Sequence, residues 1–185
     1  MAVLPEYHLT NWVPKDAQFL EIASRANDYV KRYCDLAAEL KINIVPGTIV
    51  TGAPHLDPPI NGSENTLVNI STFISYTGEI LGSYTKTNLW HPERAHLTSS
   101  IHAAAAGRAE DERDERPTPH DIIETPLGPV GIVVCWDLAF PEAFRELVRR
   151  GAKIIIVPTF WMATDCSKEG LAYNQEAEAL VSSAF

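Results

Sequence analysis

The stretch GIVVCWDLAFPEAFRELVRRGAKIIIVPTFW, residues 131–161, carries the clearest structural pattern in this chain. An apolar run ends at Cys135, a segment that begins near Pro141 and ends near Gly151 follows, and a second apolar run fills residues 152–161. Proline is favoured in the first turn of a helix and glycine just beyond the last turn, whereas short branched apolar runs are typical of buried strands. The strand–helix–strand order therefore predicts an α/β fold.

The N-terminal part of the chain shows a similar alternation. From about Lys15 to Lys41, apolar residues recur at three- and four-residue steps with charged residues between them, which predicts one amphipathic helix. The segment INIVPGTIV, residues 42–50, follows directly and predicts a buried strand because it is short, apolar and β-branched.

Two pairs of strand-like segments predict β-hairpins. The segments NTLVNISTFIS (65–75) and EILGSYTK (79–86) are joined across a short turn that ends in Gly78, and glycine supplies the positive φ that a tight hairpin favours. The segments DIIETP (121–126) and LGPVGIVVC (127–135) form the second pair.

Three further segments complete a single predicted domain over residues 1–185. Three prolines and a glycine in APHLDPPINGS, residues 53–63, predict a loop. The segment HAAAAGRAEDERDERPTP, residues 102–119, has few large apolar groups to bury and is predicted to be an exposed charged insert. The segment at 168–185 predicts the start of a helix.

Composition excludes several classes of function. The net charge of -9 would repel phosphate backbones and anionic membrane surfaces, so neither nucleic acid nor a membrane is expected as a partner. The sequence has no apolar run long enough for a membrane span and no secretory signal, which predicts a cytoplasmic protein. No glycine-rich phosphate loop is present and the cysteines lack zinc-ligand spacing, so we expect neither a cofactor nor a metal.

Cys135 has the local setting of a reactive thiol. It ends an apolar strand just before a predicted helix, and the start of a helix offers unpaired N–H groups and a positive dipole end that favour a thiolate. The alternative is a small buried hydrophobe at the tail of a strand, which is the common environment of free cysteine. The local pattern alone leaves both interpretations open.

Three motifs, in order along the chain, resemble those of the nitrilase superfamily of carbon–nitrogen hydrolases. AVLPEYH, residues 2–8, resembles the segment that carries the general base of that family, and SYTKTNLW, residues 83–90, resembles the segment of its catalytic lysine. GIVVCWDLAFPEAFREL, residues 131–147, resembles its nucleophile segment, in which a cysteine, an aromatic residue and an acid precede a Phe-Pro-Glu helix start.

The resemblance implies a role for each matching residue. Cys135 would attack a nitrile or amide carbon, Glu6 would act as general base, and Lys86 would stabilise the developing negative charge and lower the pKa of the thiol. The backbone N–H of Trp136 would be a second donor. Glu93 resembles a supporting glutamate that orients the lysine, although it is equally suited to pair with Arg94 or solvent.

Four aromatic residues lie beside these positions in the sequence: Trp90, Trp136, Phe160 and Trp161. They are candidates for an apolar substrate wall, with ordinary core packing as the alternative. A Cys-His dyad through His120 or His96 is a further alternative that no local pattern supports.

The resemblance also implies an architecture, a four-layer αββα sandwich that forms a homo-oligomer through its helical layers. It implies further elements before AVLPE and after SSAF, so we expect the domain to be incomplete at both termini. The expected function is hydrolysis of a small nitrile or amide through a covalent intermediate on Cys135, and the CWD and FPE motifs are closer to the amidase-like branches. The alternative is a truncated, inactive remnant that at most associates with intact homologues.

Overall fold

The structure is a computed structural model that describes residues 1–52, 67–100 and 120–161. The segments predicted as a loop at 53–63, as an insert at 102–119 and as a terminal helix at 168–185 lie outside the described residues.

Two helices occupy the region where the sequence pattern predicts one. Helix α1 spans Ala17–Ser24 and helix α2 spans Ala26–Leu40, and Arg25 between them has non-helical dihedrals of φ -103 and ψ 16. The hydroxyl of Ser24 donates to the carbonyl of Glu21, a local bond that competes with helix continuation. The prediction of a continuous helix from Lys15 to Lys41 is therefore wrong, because a one-residue break scarcely alters the apolar periodicity.

The first sheet has five strands, which are β1 (Ala2–Val3), β2 (Ile44–Val45), β3 (Ile49–Gly52), β4 (Leu67–Ile74) and β5 (Ile80–Thr85). Strand β1 pairs parallel to β2, and β4 pairs antiparallel to β2, β3 and β5. The pairing of β4 with β5 confirms the first predicted hairpin, and Gly78 in its turn has a φ of 83.

The single strand predicted over residues 42–50 is two short strands, β2 and β3, separated at Pro46 and Gly47. Gly47 has a φ of 58, and a Cβ placed there would lie 1.8 Å from the carbonyl oxygen of Pro5. Thr48 Oγ1 accepts a hydrogen bond from the backbone N–H of Tyr7 at 3.2 Å. The break thus makes room for the backbone at Pro5 and holds the chain on both sides of Glu6.

The second sheet contains β6 (Ile123–Thr125), β7 (Gly128–Ile132) and β8 (Ile154–Ile156), and helix α3 spans Pro141–Arg149. Strands β6 and β7 pair antiparallel, which confirms the second hairpin, and β8 pairs parallel to β7. The predicted helix after Cys135 is confirmed. Strand β8 is shorter than the apolar run 152–161 because the chain leaves the sheet after Ile156.

The two sheets pack face to face between the helices. On β4, Phe73 belongs to the apolar cluster shared with the second sheet and α3, whereas Ile74 belongs to the cluster shared with α2. This alternation is the two-residue period of a strand with both faces buried. On the far side, Gly131 of β7 lies against Leu147 of α3. The order of layers is helices, sheet, sheet, helix, which confirms the predicted α/β class and αββα arrangement.

None of the helices in the described ranges is both long and apolar enough to cross a membrane.

The close approach of the Pro5 carbonyl to Gly47 leads to a stability prediction. We expect Gly47→Ala to lower the free energy of unfolding by at least about 2 kcal/mol, because the methyl group would overlap the Pro5 carbonyl and alanine is strained at positive φ. Gly52→Ala is the matched control, since a Cβ there meets nothing within 4 Å. Urea unfolding of both variants measures the difference. An equal effect of the two substitutions would contradict this account of the break between β2 and β3.

Candidate active site

Cys135 lies at a strained turn immediately after the second sheet. Its φ is 45, in the left-handed region, and it begins the 3-10 turn Cys135–Ala139. Such a conformation costs a non-glycine residue about 1–2 kcal/mol. The backbone N–H of Cys135 donates to the Pro158 carbonyl at 3.0 Å, and that of Asp137 donates to the Val134 carbonyl at 3.0 Å. These bonds hold the thiol at the junction between β7 and the chain that follows β8.

A buried cluster of charges faces this turn. The ammonium of Lys86 lies 2.8 Å from Oε1 of Glu6 and 2.8 Å from Oε1 of Glu93. All three residues are at most 1% exposed. Lys86 directly follows β5, and its backbone N–H donates to the Asn69 carbonyl on β4 at 2.9 Å. The structure therefore brings the predicted residues Glu6, Lys86 and Glu93 together around one ammonium.

Neighbouring side chains orient the two carboxylates. Asn69 Nδ2 donates to Glu6 Oε1 at 3.0 Å, and the backbone N–H of Glu6 donates to the Thr159 carbonyl at 3.3 Å. The Tyr7 hydroxyl donates to Glu93 Oε1, and the backbone N–H of Trp90 donates to Glu93 Oε2 at 2.7 Å. Glu93 is thus bound inside the cluster rather than paired with Arg94 or solvent.

The charges of Glu6 and Lys86 both act on the thiol of Cys135. Burial raises the pKa of the Cys135 thiol well above its usual range, and the negative charge of Glu6 raises it further. Lys86 lowers that pKa, as predicted, but only partly offsets the other two effects. Burial and the carboxylate therefore outweigh the ammonium, and their balance favours the protonated thiol.

The charges of the cluster also set the protonation of its other members. Burial lowers the pKa of Lys86, but the charges of Glu6 and Glu93 outweigh this effect and hold the pKa above its ordinary value, so the ammonium stays protonated. Burial raises the pKa of Glu6 above the ordinary 4.5, and the charge of Lys86 opposes that rise. Glu6 is thus a proton acceptor held beside the fixed positive charge of Lys86.

Two of the four predicted aromatic residues contact the sulfur. Trp161 Nε1 donates to Cys135 Sγ at 3.1 Å, and Sγ is 3.7 Å from the carbonyl oxygen of Phe160. Trp136 instead packs edge-to-face with His91, with ring centroids 6.1 Å apart. The polar contact from Trp161 to the thiol was not predicted, because a sequence does not show which way an indole N–H points.

Neither candidate histidine is a partner of the thiol within the described residues. His120 stacks on Tyr84 with centroids 5.6 Å apart, and His96 packs against Trp12 at 6.1 Å. The same part of the chain contains no group of three or more His, Cys, Asp or Glu side chains arranged to hold a metal ion.

Sequence reasoning did not single out Tyr7, Asn69 or Asp137 for a role in the site. Asn69 and Ser71 are polar residues at alternate positions of a strand whose other inward residue is Phe73, and both are fully buried. Buried polar residues in an apolar strand need a partner, and this was the available signal for Asn69. Tyr7 and Asp137 lie within the motifs quoted for Glu6 and Cys135, but the resemblance gave neither of them a role of its own.

The sequence profile of the carbon-nitrogen hydrolase family matches residues 1–184 of this chain. The chain belongs to this family, the nitrilase superfamily. A curated relative, a probable nitrilase of Schizosaccharomyces pombe, is 28% identical over 144 residues, which are 78% of this chain and 43% of that protein.

Solved structures of carbon-nitrogen hydrolases show the same fold. A carbon-nitrogen hydrolase from Helicobacter pylori G27 superposes with a TM-score of 0.71 at 19% identity, over 98% of this chain and 56% of the other. A variant of the amidase from Nesterenkonia sp. AN1, with the acetamide moiety of fluoroacetamide added covalently at its active site cysteine, superposes with a TM-score of 0.62 at 21% identity over 85% and 50%. The chain spans about half the length of each of these proteins.

The buried charges of this hydrolase-family chain generate a second stability prediction. We expect Lys86→Met to lower the free energy of unfolding by about 3–5 kcal/mol, because it leaves two buried carboxylates without their cation. The loss should be smaller at pH 5 than at pH 7. Without the ammonium, the pKa of Glu6 in the folded protein rises further. Its protonated form then stabilises the folded state fully below about pH 4.5, the ordinary pKa. This contribution is lost as the pH increases through the raised pKa of the folded state.

Lys153→Met is the control for this measurement, since Lys153 is exposed. Urea unfolding of the wild type and both variants at the two pH values gives the comparison. A Lys86→Met loss that matches that of Lys153→Met, or that grows towards pH 5, would rule out the proposed charge balance.

Proposed function

We propose that the site hydrolyses a carbon–nitrogen bond of a small nitrile or amide through a covalent intermediate on Cys135. The observation that supports this most directly is the buried ion pair of Lys86 and Glu6 at 2.8 Å, both of whose charges act on the pKa of the Cys135 thiol. A thiol with a raised pKa needs a base at the moment of attack, and the neighbouring Glu6 carboxylate is suited to that role.

The first step transfers the thiol proton to Glu6 while sulfur attacks the substrate carbon. Lys86 and Asn69 both donate to Oε1 of Glu6, and neither of these bonds uses Oε2. With an amide, a carbon–sulfur bond forms and the carbonyl π electrons move to oxygen. As the tetrahedral species collapses, Glu6 returns the proton to the leaving nitrogen, the carbon–nitrogen bond breaks and a thioester remains.

Lys86 supplies the main stabilisation of the developing charge. An ammonium has three N–H donors, and two of them are directed to Glu6 and Glu93. The third remains for the substrate oxygen, or for the nitrogen of a nitrile. The backbone N–H of Trp136 is the second donor, since it lies in the first turn of the segment Cys135–Ala139, where N–H groups have no partner within the turn.

The second step releases the acyl group. Glu6 accepts a proton from water as that water attacks the thioester, and the proton is returned to sulfur when the carbon–sulfur bond breaks. The products are a carboxylic acid and the original thiol. A nitrile follows the same sequence through a thioimidate, with one additional water and release of ammonia.

The substrate side of the site is proposed to be apolar. The indole of Trp161 lies at the sulfur and is placed to contact a small substrate next to the reacting carbon. Phe160 and Trp90 reach the site through backbone groups, and we propose that their rings complete the same wall. The names of the similar proteins, a probable nitrilase and an amidase, support both a nitrile and an amide as the substrate class.

Covalent labelling tests the nucleophile. We expect fluoroacetamide to add a single acetamide group to Cys135, detected by intact mass and peptide mapping. In this reaction sulfur displaces fluoride from the CH₂ carbon, so its rate depends on the thiolate. Labelling should fall by about 100-fold or more in Glu6→Gln and Lys86→Ala, because the first removes the base and the second removes the charge that lowers the pKa of the thiol. Cys34→Ser is the control, since Cys34 is a second free thiol outside the cluster. Folded wild-type protein that remains unlabelled would support the inactive alternative.

The pH dependence tests the base. We expect kcat/KM for an amide to increase with pH through an apparent pKa above 4.5, because Glu6 acts in its deprotonated form and burial raises its pKa. Glu39→Gln, at an exposed position, should leave this limb unchanged. An acidic limb at or below 4.5 would argue against Glu6 as the base.

A further inference from the structure

Asp137 is a buried carboxylate that the proposed chemistry does not use. It is fully buried, and each of its two oxygens accepts two hydrogen bonds. Oδ1 accepts from the backbone N–H and from Nδ2 of Asn88, both at 2.9 Å. Oδ2 accepts from the Val134 N–H at 2.8 Å and from the Tyr84 hydroxyl at 2.9 Å. Four donors on one carboxylate use its usual acceptor capacity in full.

These four donors come from the two chain segments that carry the reactive groups. Tyr84 and Asn88 lie two residues before and two residues after Lys86, so both sides of the lysine segment are bound to the same carboxylate. Val134 directly precedes Cys135. A single side chain thus bridges the segment of the ammonium and the segment of the thiol, which are far apart in sequence.

Asp137 also closes the strained turn at the thiol. Its side chain accepts from the Val134 N–H while its own backbone N–H donates to the Val134 carbonyl, so a ring of two hydrogen bonds encloses Cys135 and its positive φ. Without the side-chain bond, the turn loses one of the two contacts that offset the cost of the left-handed conformation.

We propose that Asp137 is a positioning residue that sets the distance between the Lys86 ammonium and the Cys135 thiol. This inference rests on the proposed function of the site. The oxygens of the carboxylate accept hydrogen bonds from Tyr84, Asn88 and Val134. It acts by holding the Lys86 segment and the Cys135 turn on two oxygens of one rigid group, and an error of about 1 Å in such geometry costs on the order of 100-fold in rate.

Asp137→Asn is the most direct test, because each oxygen of Asp137 accepts from a backbone N–H. The amide NH₂ of asparagine must face one of those two donors, so one of the two backbone hydrogen bonds to residue 137 is lost in either orientation. We expect kcat to fall by about 100-fold with KM changed by less than about threefold. We also expect a matching decrease in the rate at which iodoacetamide alkylates Cys135.

Two further variants keep the test informative if Asp137→Asn is unstable. Tyr84→Phe and Asn88→Ala each remove one side-chain donor and leave both backbone bonds to Asp137 in place. We expect each to lower kcat by about 3- to 10-fold, and the double variant to lower it by more than either, again with little effect on KM. Normal turnover in the double variant would overturn the proposal.

Leu147→Ala is the control for a loss of stability alone. Leu147 is fully buried against Gly131, so Leu147→Ala should lower the urea concentration at the midpoint of unfolding without changing kcat, measured well below the unfolding temperature. A decrease in kcat in Leu147→Ala equal to that in Asp137→Asn would show that stability, not position, sets the rate.

If wild-type protein neither turns over amides nor is labelled at Cys135, the proposed function fails. If it does both and Asp137→Asn behaves like it, only the inference about Asp137 fails.

Discussion

The ammonium of Lys86, buried between the carboxylates of Glu6 and Glu93, is the interaction on which the rest of the site depends. None of these charges would be stable in this environment alone, because removing an ion from water costs several kcal/mol that only close partners offset. The three residues come from the end of β1, the end of β5 and a 3-10 turn, so the charges can be paired only after both edges of the first sheet are in place. The site and the fold are therefore formed together.

The same burial determines the state of the nucleophile. Burial and the negative charge of Glu6 raise the pKa of the Cys135 thiol more than the ammonium of Lys86 lowers it. The proposed chemistry follows from this balance. It needs a base close to the sulfur and an ammonium that stays charged throughout. Two packed sheets provide the dry space between them in which both conditions hold.

Local signals in the sequence predicted the hairpins and helix α3 correctly, because the turn glycines and the Pro-to-Gly bounds of a helix act over only a few residues. They failed where the structure changes direction within an otherwise continuous pattern. A single non-helical residue, Arg25, divides the predicted long helix, and Pro46 and Gly47 divide the predicted strand. The Pro-Gly pair is a turn signal in its own right. The apolar residues on both sides of it obscured that signal, since β2 and β3 both pair with β4.

The sequence by itself determined the α/β class and the order of three motifs, because both are read from local patterns. The resemblance of those motifs to the nitrilase superfamily predicted Glu6, Lys86, Glu93 and Cys135 as site residues. Only the tertiary structure decided that burial and the charge of Glu6 together raise the pKa of the thiol, and that Trp161 donates to sulfur. The role inferred for Asp137 likewise depends on contacts with Tyr84 and Asn88 across the two sheets. These features are set by distances between groups that are remote in sequence and by the removal of water, and neither quantity is encoded in any single segment.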